Sequence, residues 1–295
     1  MTGTQHLENM INKRVLARRL RAMSFMLRHP AAVRNATARA VADLHENRLA
    51  VLALESGSDK GPNAHGYTAV YDQYFSGRRH EPLVMVEIGL LMHKSQRRRG
   101  GGTHFDDAPS LRMWREYFPN ARIIGFDIAD FSGVRIPGCI TLRGDQSDRS
   151  DLATIAEHCQ DGVDVIIDDA LHASLHQQVT LATLFPLLKS GGFYFIEDLH
   201  YQPEGTESTG VPPTKDLLRL LTAAGAPQAS PSAAITDDEW SSLRERIKEI
   251  TMYDSQKRIG DRQRQVDALA VLEKGVFAYP SNEYRQAQVH DFPRQ

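Results

Sequence analysis

The chain has 295 residues, of which 41% are hydrophobic and 24% are charged, and its formal net charge at pH 7 is −2. This composition is typical of a globular protein and gives no reason to expect a nucleic-acid or membrane partner. With two cysteines, no signal-peptide core and no apolar run near the ~18 residues of a membrane span, the sequence predicts a cytoplasmic protein without a disulfide framework.

Residues 1–50 differ from the rest of the chain in their basic, helical pattern, and the predicted N-terminal extension spans residues 1–80. Apolar residues recur at helical spacing from Ile11 to the break at His29-Pro30, and a second helix is predicted from about Ala31 to Leu54. A basic amphipathic helix also suits a membrane surface or a nucleic acid, but the balanced net charge favours packing on its own domain or on a sister subunit. We therefore expect a helical extension that contacts another protomer or covers the active site.

From Leu83 onward, predicted strands and helices alternate. The strands are predicted at Leu83–Gly89, Ala121–Asp127, Cys139–Arg143, Val163–Asp169, Gly192–Asp198, Glu249–Tyr253 and Ala268–Leu272. The helices are predicted at Asp107–Tyr117, Asp151–His158, Leu175–Leu188, Lys215–Ala224 and Asp237–Lys248. This order predicts an α/β fold, a doubly wound Rossmann-like parallel sheet over residues 81–275. A polar connection, Asp254–Gln265, separates the last two strands, and residues 276–295 are predicted to be an irregular tail.

Acidic residues stand at the ends of two of the predicted strands. One run ends at Asp169 and the other at Glu197 and Asp198. Ligands of open parallel sheets collect outside the carboxyl ends of the strands, so these carboxylates are expected to converge if the two strands are neighbours. Mg²⁺ prefers such oxygen ligands and keeps open positions for substrate. His172, three residues past Asp169, would stand at the same edge as a proton acceptor.

The turn after the first strand narrows the choice of cofactor. The sequence Glu87-Ile88-Gly89-Leu90-Leu91-Met92 contains no Gly-x-Gly-x-x-Gly, which counts against a pyrophosphate-binding nicotinamide enzyme. Asp127 ends the second strand, at the position that accepts hydrogen bonds from ribose hydroxyls in many nucleotide-binding sheets. An aspartate that merely caps a strand would give the same pattern.

Taken together, these features resemble the class I S-adenosylmethionine-dependent methyltransferases, and within them the macrolide-sugar O-methyltransferases of the mycinamicin and macrocin type. The resembling segments are Gly57-Ser58-Asp59-Lys60, His65-Gly66-Tyr67, Val86-Glu87-Ile88-Gly89, Gly125-Phe126-Asp127-Ile128, Arg143-Gly144-Asp145-Gln146, Ile167-Asp168-Asp169-Ala170-Leu171-His172 and Ile196-Glu197-Asp198-Leu199. The resemblance implies a seven-stranded sheet that ends in an antiparallel C-terminal hairpin.

The resemblance also implies roles for individual residues. Mg²⁺ would be bound by Asp169, Glu197 and Asp198, with His172 as the base and His176 or His200 as substitutes. The cofactor-binding residues would be Glu87, Gly89, Ser110, Asp127, Asp145, Gln146 and Asp168, although Asp168 also suits an acceptor of backbone N–H groups. Tyr67 and His200 are candidates for contact with the substrate.

Two segments depart from the family pattern. Ala170-Leu171 stands where the family usually has Gly-Ser, which removes a hydroxyl and a flexible residue just before His172. The loop after Gly89 is long and carries Arg97-Arg98-Arg99. A solvated disordered loop is the favoured interpretation, and the alternative is a flexible cationic loop that closes over the cofactor or meets an anionic substrate.

The sequence therefore predicts a metal-dependent enzyme that moves a methyl group from S-adenosylmethionine to a hydroxyl of a sugar on a macrolide, another polyketide or a polysaccharide. The alternatives are an O-methyltransferase acting on a catechol, a Rossmann-type nicotinamide oxidoreductase, and a non-catalytic protein that retains the fold. We expect a homo-oligomer, because the resembling enzymes are multimeric.

Overall fold

The computed structural model describes residues 47–62, 64–90, 104–254 and 268–276, together with the backbone of 258–259 and 262–263. The predicted helix before Pro30, the Arg97–Arg99 loop and nearly all of the predicted tail lie outside the described residues. The division into an N-terminal extension (1–80), a methyltransferase domain (81–275) and a tail stays a prediction.

The core is a seven-stranded sheet with the order β3-β2-β1-β4-β5-β9-β6. Its strands are β1 (Val84–Ile88), β2 (Arg122–Asp127), β3 (Cys139–Arg143), β4 (Val163–Asp168), β5 (Leu188–Ile196), β6 (Ile247–Tyr253) and β9 (Leu269–Lys274). The first five are parallel, and β9 runs antiparallel to both β5 and β6. The predicted doubly wound sheet with an antiparallel C-terminal hairpin is confirmed.

Seven α-helices in the described ranges cover the two faces of this sheet. They are α1 (Arg48–Ser56), α2 (Thr68–Phe75), α3 (Pro109–Tyr117), α4 (Arg149–Glu157), α5 (Ser174–Leu184), α6 (Thr214–Leu221) and α7 (Asp237–Arg246). Side chains from α1, α2 and α3 share one apolar core with Ile123 and Val165, and side chains from α4 to α7 share the other with Ile124 and Ile166. Because successive side chains on a strand point to opposite faces, continuous apolar runs supply both cores.

Several predicted boundaries are wrong for identifiable reasons. The predicted helix from Ala31 to Leu54 is not continuous, because Asn47 is extended (φ −111°) and caps a helix that begins at Arg48. Helix α5 ends at Leu184 rather than Leu188, where a 3₁₀ turn containing Pro186 leads into β5. Helix α7 ends at Arg246, since β6 already begins at Ile247.

The connection between β6 and β9 holds a short antiparallel pair in its described part. The strands β7 (Arg258–Ile259) and β8 (Arg262–Gln263) form it, where the sequence predicts only a polar connection. None of the helices in the described ranges combines the length and the hydropathy that a bilayer span requires.

Candidate active site

Strand register places three acidic side chains on the same face of the sheet. Glu87 of β1 lies opposite Ile167 of β4, which lies opposite Phe195 of β5, and the latter two belong to the core under α1, α2 and α3. Because side chains alternate along a strand, Asp169 and Glu197, two residues further on, return to that face. The predicted convergence of Asp169 and Glu197 therefore follows from the register of neighbouring strands.

The turn at Gly89 brings β1 and β4 together, backbone against backbone. Gly89 has φ +91°, and a Cβ atom built on it would lie 2.2 Å from the carbonyl oxygen of Asp169. The Asp169 N–H in turn donates to the Ile88 carbonyl at 2.8 Å. Only glycine fits this close approach at positive φ without displacing Asp169.

Glu87 is completely buried and is bound by groups from three directions. Ser110 Oγ donates to its Oε2 at 2.8 Å, Trp114 Nε1 donates to its Oε1 at 3.1 Å, and the Lys60 ammonium lies 3.3 Å from Oε1. Burial raises the pKa of Glu87, while Lys60 and Ser110 oppose that rise. The predicted cofactor residue Ser110 thus holds Glu87 in place.

Lys60 is the principal site residue that the sequence does not identify. Its ammonium donates to Glu197 Oε1 at 2.8 Å and to Asp169 Oδ2, and the residue is 1% exposed. Burial lowers the pKa of Lys60, but Asp169, Glu197 and Glu87 outweigh burial and raise it well above its ordinary value. The carboxylates of Asp169 and Glu197 are therefore joined by an internal cation.

Asp198, the third predicted metal ligand, has a separate set of partners. Tyr67 Oη donates to Asp198 Oδ1, accepts from the Asp198 N–H at 3.1 Å, and its ring stacks on His65. His65 Nδ1 lies 3.4 Å from the same carboxylate. Burial lowers the pKa of His65, but Asp198 outweighs it and raises the pKa to about 9. Tyr67 is 1% exposed, so in this structure it orients Asp198, and the prediction that it contacts substrate stays untested.

His172 stands between the two aspartates, as predicted for a base. Its Nε2 lies 4.0 Å from Asp169 Oδ1 and 3.6 Å from Asp198 Oδ2. The ring packs edge-on against Tyr201, with centroids 6.1 Å apart. Nδ1 is buried and has no hydrogen-bond partner among the described residues. His172 Nε2 and the two aspartates therefore face a common space at the carboxyl edge of the sheet.

Asp127 is held at the end of β2 by two backbone groups. The N–H of Leu90 donates to Oδ2 and the N–H of Ala129 donates to Oδ1, each at 2.7 Å. The residue is 6% exposed. These bonds tie the β1 turn to the β2 turn and also explain Asp127 as a cap, the alternative that the sequence left open.

Asp168 and Gln146 form a buried polar pair on the opposite face. Gln146 Nε2 donates to Asp168 Oδ1, and Tyr194 Oη lies 3.5 Å from Oδ2. Burial raises the pKa of Asp168 to about 7. Gln146 Oε1 is buried without a hydrogen-bond partner in the described part of the chain. Asp168 also accepts from the backbone N–H of Ala170, as the sequence allowed, so it joins that turn to Gln146.

The remaining predicted residues occupy the periphery of the site. Asp145 accepts from the N–H and the hydroxyl of Ser147, both at 2.7 Å, and these bonds lower its pKa. His176 lies on α5, and burial lowers its pKa. His200 is half-buried and follows Asp198 by two residues.

The carboxylates of Asp169, Glu197 and Asp198 are suitable ligands for a hard cation, but they do not all converge on one point. As the side chains stand, no group of three His, Cys, Asp or Glu among the described residues lies close enough together to hold a metal ion. Lys60 binds Oδ2 of Asp169, whereas Oδ1 of Asp169 and Oδ2 of Asp198 face His172. These outward oxygens and the carboxylate of Glu197 are hard oxygen ligands of the kind that Mg²⁺ prefers, so the donor set fits this ion in its chemistry.

The chain was compared with protein-family models, with curated proteins and with solved structures. No protein-family model matches the chain. It is similar to the 8-demethyl-8-alpha-L-rhamnosyl tetracenomycin-C 2'-O-methyltransferase of Streptomyces olivaceus, with 42% identity over 151 residues, 51% of this chain and 37% of the relative. It is also similar to the mycinamicin VI 2''-O-methyltransferase of Micromonospora griseorubida, with 37% identity over 135 residues, 46% of this chain and 32% of the relative.

A solved structure extends the similarity beyond the aligned sequence. MycE methyltransferase from the mycinamycin biosynthetic pathway, solved in complex with Mg, SAH and mycinamycin VI, matches 77% of this chain and 54% of its own, with a TM-score of 0.55 and 27% identity. The chain matches about a third of the length of the curated relatives and about half of MycE. The fold is that of a class I S-adenosylmethionine-dependent methyltransferase. The resemblance to the sugar O-methyltransferases of polyketide pathways, predicted from the sequence, is confirmed.

Proposed function

We propose that this chain is a magnesium-dependent O-methyltransferase that moves a methyl group from S-adenosylmethionine to a sugar hydroxyl of a glycosylated polyketide. The observation that carries the proposal is the placement of Asp169, Asp198 and His172 around one space at the carboxyl edge of a methyltransferase sheet. The relatives named for sugar O-methylation support the acceptor class.

The residues at the carboxyl edge fit the cofactor. Gln146 Oε1 is a buried acceptor without a partner in the described part of the chain, which suits the amino group of adenine. Glu87 is a buried carboxylate next to the Gly89 turn, which suits the cationic methionine end. Asp127 would face the ribose. MycE, a structural neighbour, was solved with Mg and SAH.

In the mechanism we propose, residues of this chain remove the proton of the acceptor hydroxyl and position the metal ligands. Asp169, Glu197 and Asp198 would hold Mg²⁺, which would supply Lewis-acid activation of the acceptor hydroxyl. His172 Nε2, which faces the space beside Asp169 and Asp198, would accept the proton of the attacking hydroxyl. Tyr67 and His65 hold Asp198, and Gly89 fixes Asp169, so that acceptor and methyl donor are held in line.

A catechol acceptor would place two vicinal hydroxyls in the same way, so it is the nearest competitor. The curated relatives favour a sugar over a catechol. A nicotinamide cofactor is disfavoured by the missing glycine fingerprint. We further propose that the protein is cytoplasmic and forms a homo-oligomer. The two free thiols, Cys139 and Cys159, support a reducing compartment and do not bear on the oligomeric state.

The test measures binding and transfer separately on the full chain. We expect calorimetry to show S-adenosylmethionine binding, and methyl transfer to a rhamnosylated or olivosylated polyketide that requires Mg²⁺ and stops with EDTA. We expect His172→Ala to lower kcat by about a hundredfold or more, whereas His176→Ala, in the first turn of α5, retains most activity.

Each outcome has a distinct consequence. Transfer that continues in EDTA would refute the metal role and leave the methyltransferase assignment standing. Transfer to catechol but not to the glycosylated acceptors would replace the substrate class. Absence of S-adenosylmethionine binding would overturn the proposal as a whole.

A further inference from the structure

Lys60 occupies a fully enclosed position in the short loop between α1 and α2. Both of its backbone polar groups are hydrogen-bonded. The Lys60 carbonyl accepts from the Thr68 N–H at 3.1 Å, and the Lys60 N–H donates to Ser58 Oγ at 3.4 Å. The residue is 1% exposed. A lysine held in this way loses its side-chain freedom, so its burial calls for a specific set of partners.

The ammonium of Lys60 donates to Asp169 and to Glu197, and it lies 3.3 Å from a third carboxylate, that of Glu87. Glu87 belongs to β1, whereas Asp169 directly follows β4 and Glu197 directly follows β5. These three strands are neighbours in the sheet. With all three carboxyls ionised, the cluster would carry an excess of two negative charges. Burial of such an excess is costly unless a further cation shares it.

The ammonium uses one oxygen of Asp169 and leaves the other facing the catalytic space. Oδ2 contacts Lys60, whereas Oδ1 lies 4.0 Å from His172 Nε2. Glu197 is likewise fixed through Oε1, which accepts from Lys60 at 2.8 Å and from the hydroxyl of Tyr71. Lys60 therefore sets the rotation of both carboxylates about their side-chain bonds.

We propose that Lys60 is a positioning residue that orients Asp169 and Glu197 toward the metal and Glu87 toward the cofactor, so that one internal cation organises both sites. This inference about Lys60 rests on the proposed function, because it presupposes that the carboxylates bind the metal and the cofactor. Lys60 touches neither ligand in this assignment, and acts through the three carboxylates that do.

The chain supplies a matched control in Lys274, a second buried lysine. Its residue exposure is 3%, and its ammonium donates to the carbonyls of Pro186, at 3.0 Å, and Leu188. In register, Lys274 lies opposite Ile247, at the start of β6. It therefore sits at the edge of the sheet away from the acidic cluster.

The experiment compares Lys60→Met with Lys274→Met by calorimetry with MgCl₂ alone and with SAH alone, and by thermal unfolding. Loss of groups that orient metal ligands typically weakens metal affinity by about ten- to a hundredfold. We expect that loss for Mg²⁺ in Lys60→Met, with a fall in SAH affinity of about tenfold. Both variants are expected to unfold at lower temperature, but Lys274→Met keeps both affinities within about twofold, because distant sites act independently.

Lys60→Arg keeps the result interpretable if Lys60→Met does not fold. The guanidinium retains the charge but is planar and longer, so it cannot reproduce the geometry of the ammonium between Asp169, Glu197 and Glu87. We expect a folded protein with weakened Mg²⁺ and SAH binding. Affinities equal to wild type in Lys60→Met, or in Lys60→Arg where the methionine variant is unfolded, overturn the inference.

The two proposals fail in different ways. A wild-type protein that binds SAH but not Mg²⁺ refutes the metal part of the proposed function, and Lys60 is then judged by SAH affinity alone. A wild-type protein that binds neither ligand overturns both. Equal weakening in Lys60→Met and Lys274→Met assigns Lys60 to general stability and refutes its positioning role.

Discussion

At the residue scale, the site is built on backbone conformations that most side chains avoid. His172 (φ 65°) and Asp198 (φ 48°) are the non-glycine residues with positive φ in the described part of the chain, and both face the catalytic space. Such conformations cost about 1–2 kcal/mol each. They persist where the surrounding structure holds them, and here they point both side chains at one another.

Gly89→Ala tests the close contact between β1 and β4. A methyl group there would overlap the Asp169 carbonyl, so Asp169 must move, and a displacement of about 1 Å costs on the order of a hundredfold in rate. We expect that loss in kcat/KM for methyl transfer. Gly225→Ala is the control, because Gly225 has φ +82° but open space around its Cβ position. Equal activity of the two variants would refute the contact.

Tyr67→Phe tests how Asp198 is held. The variant loses a hydrogen bond to a charged acceptor, worth about 1.5–3 kcal/mol. We expect the Mg²⁺ concentration for half-maximal activity to rise by about tenfold or more. Tyr74→Phe loses its bonds to the Tyr253 hydroxyl, at 2.8 Å, and to Thr251, neither of which involves Asp198, and is expected to behave like wild type in the same titration. An unchanged Mg²⁺ requirement in Tyr67→Phe would contradict this role.

At the element scale, helix α7 is started by a capping box and tied to α4. Thr236 accepts from the Glu239 N–H, and Glu239 accepts from the Thr236 N–H at 2.9 Å. Glu239 also pairs with Arg149 of α4 at 2.6 Å. One carboxylate thus joins two helices that cover the same face of the sheet, far in sequence from one another.

Thr236→Ala is expected to lower the free energy of unfolding by about 1 kcal/mol, the usual effect of removing such a cap. Urea denaturation measures it, and Thr236→Ser should retain most of the stability because the hydroxyl remains. Methyl transfer is expected to be unchanged, since α7 lies on the face opposite the acidic cluster. A loss of activity at full folding would show that α7 communicates with the site.

At the scale of the whole molecule, the apolar core on the α4–α7 face of the sheet encloses the thiol of Cys159. Cys159 is 5% exposed in the α4–α7 core, and burial raises the pKa of its thiol from 9.0 to about 11. The unfolded chain therefore releases this proton at lower pH than the folded protein does. Stability is fully present below pH 9 and falls as the pH rises toward 11.

Urea denaturation from pH 7 to pH 11 checks this sign. The raised pKa of Cys159 corresponds to an order-of-magnitude loss of about 2–3 kcal/mol across that window. Cys159→Ala is expected to be less stable at pH 7, because it leaves a small cavity, but to lose less stability between pH 9 and pH 11. Parallel pH profiles for the two proteins would contradict the assignment.

The sequence by itself determined the strand–helix order, the acidic ends of β4 and β5, and the family resemblance. These are local signals: continuous apolar runs predict strands buried on both faces, and turn residues punctuate them. Where a local signal was ambiguous, the boundary was wrong, as at Asn47 and Pro186. His172 was identified because it follows Asp169 by three residues.

Only the tertiary structure decided which cation joins the carboxylates. Lys60 is separated from Asp169 by 109 residues and from Glu197 by 137. Such a pairing has no periodicity, so the loop Gly57-Ser58-Asp59-Lys60 shows its role only once α1 and α2 pack on the sheet. Strand composition is a property of short segments, whereas charge compensation depends on which segments meet, and that is settled by register and packing across the whole fold.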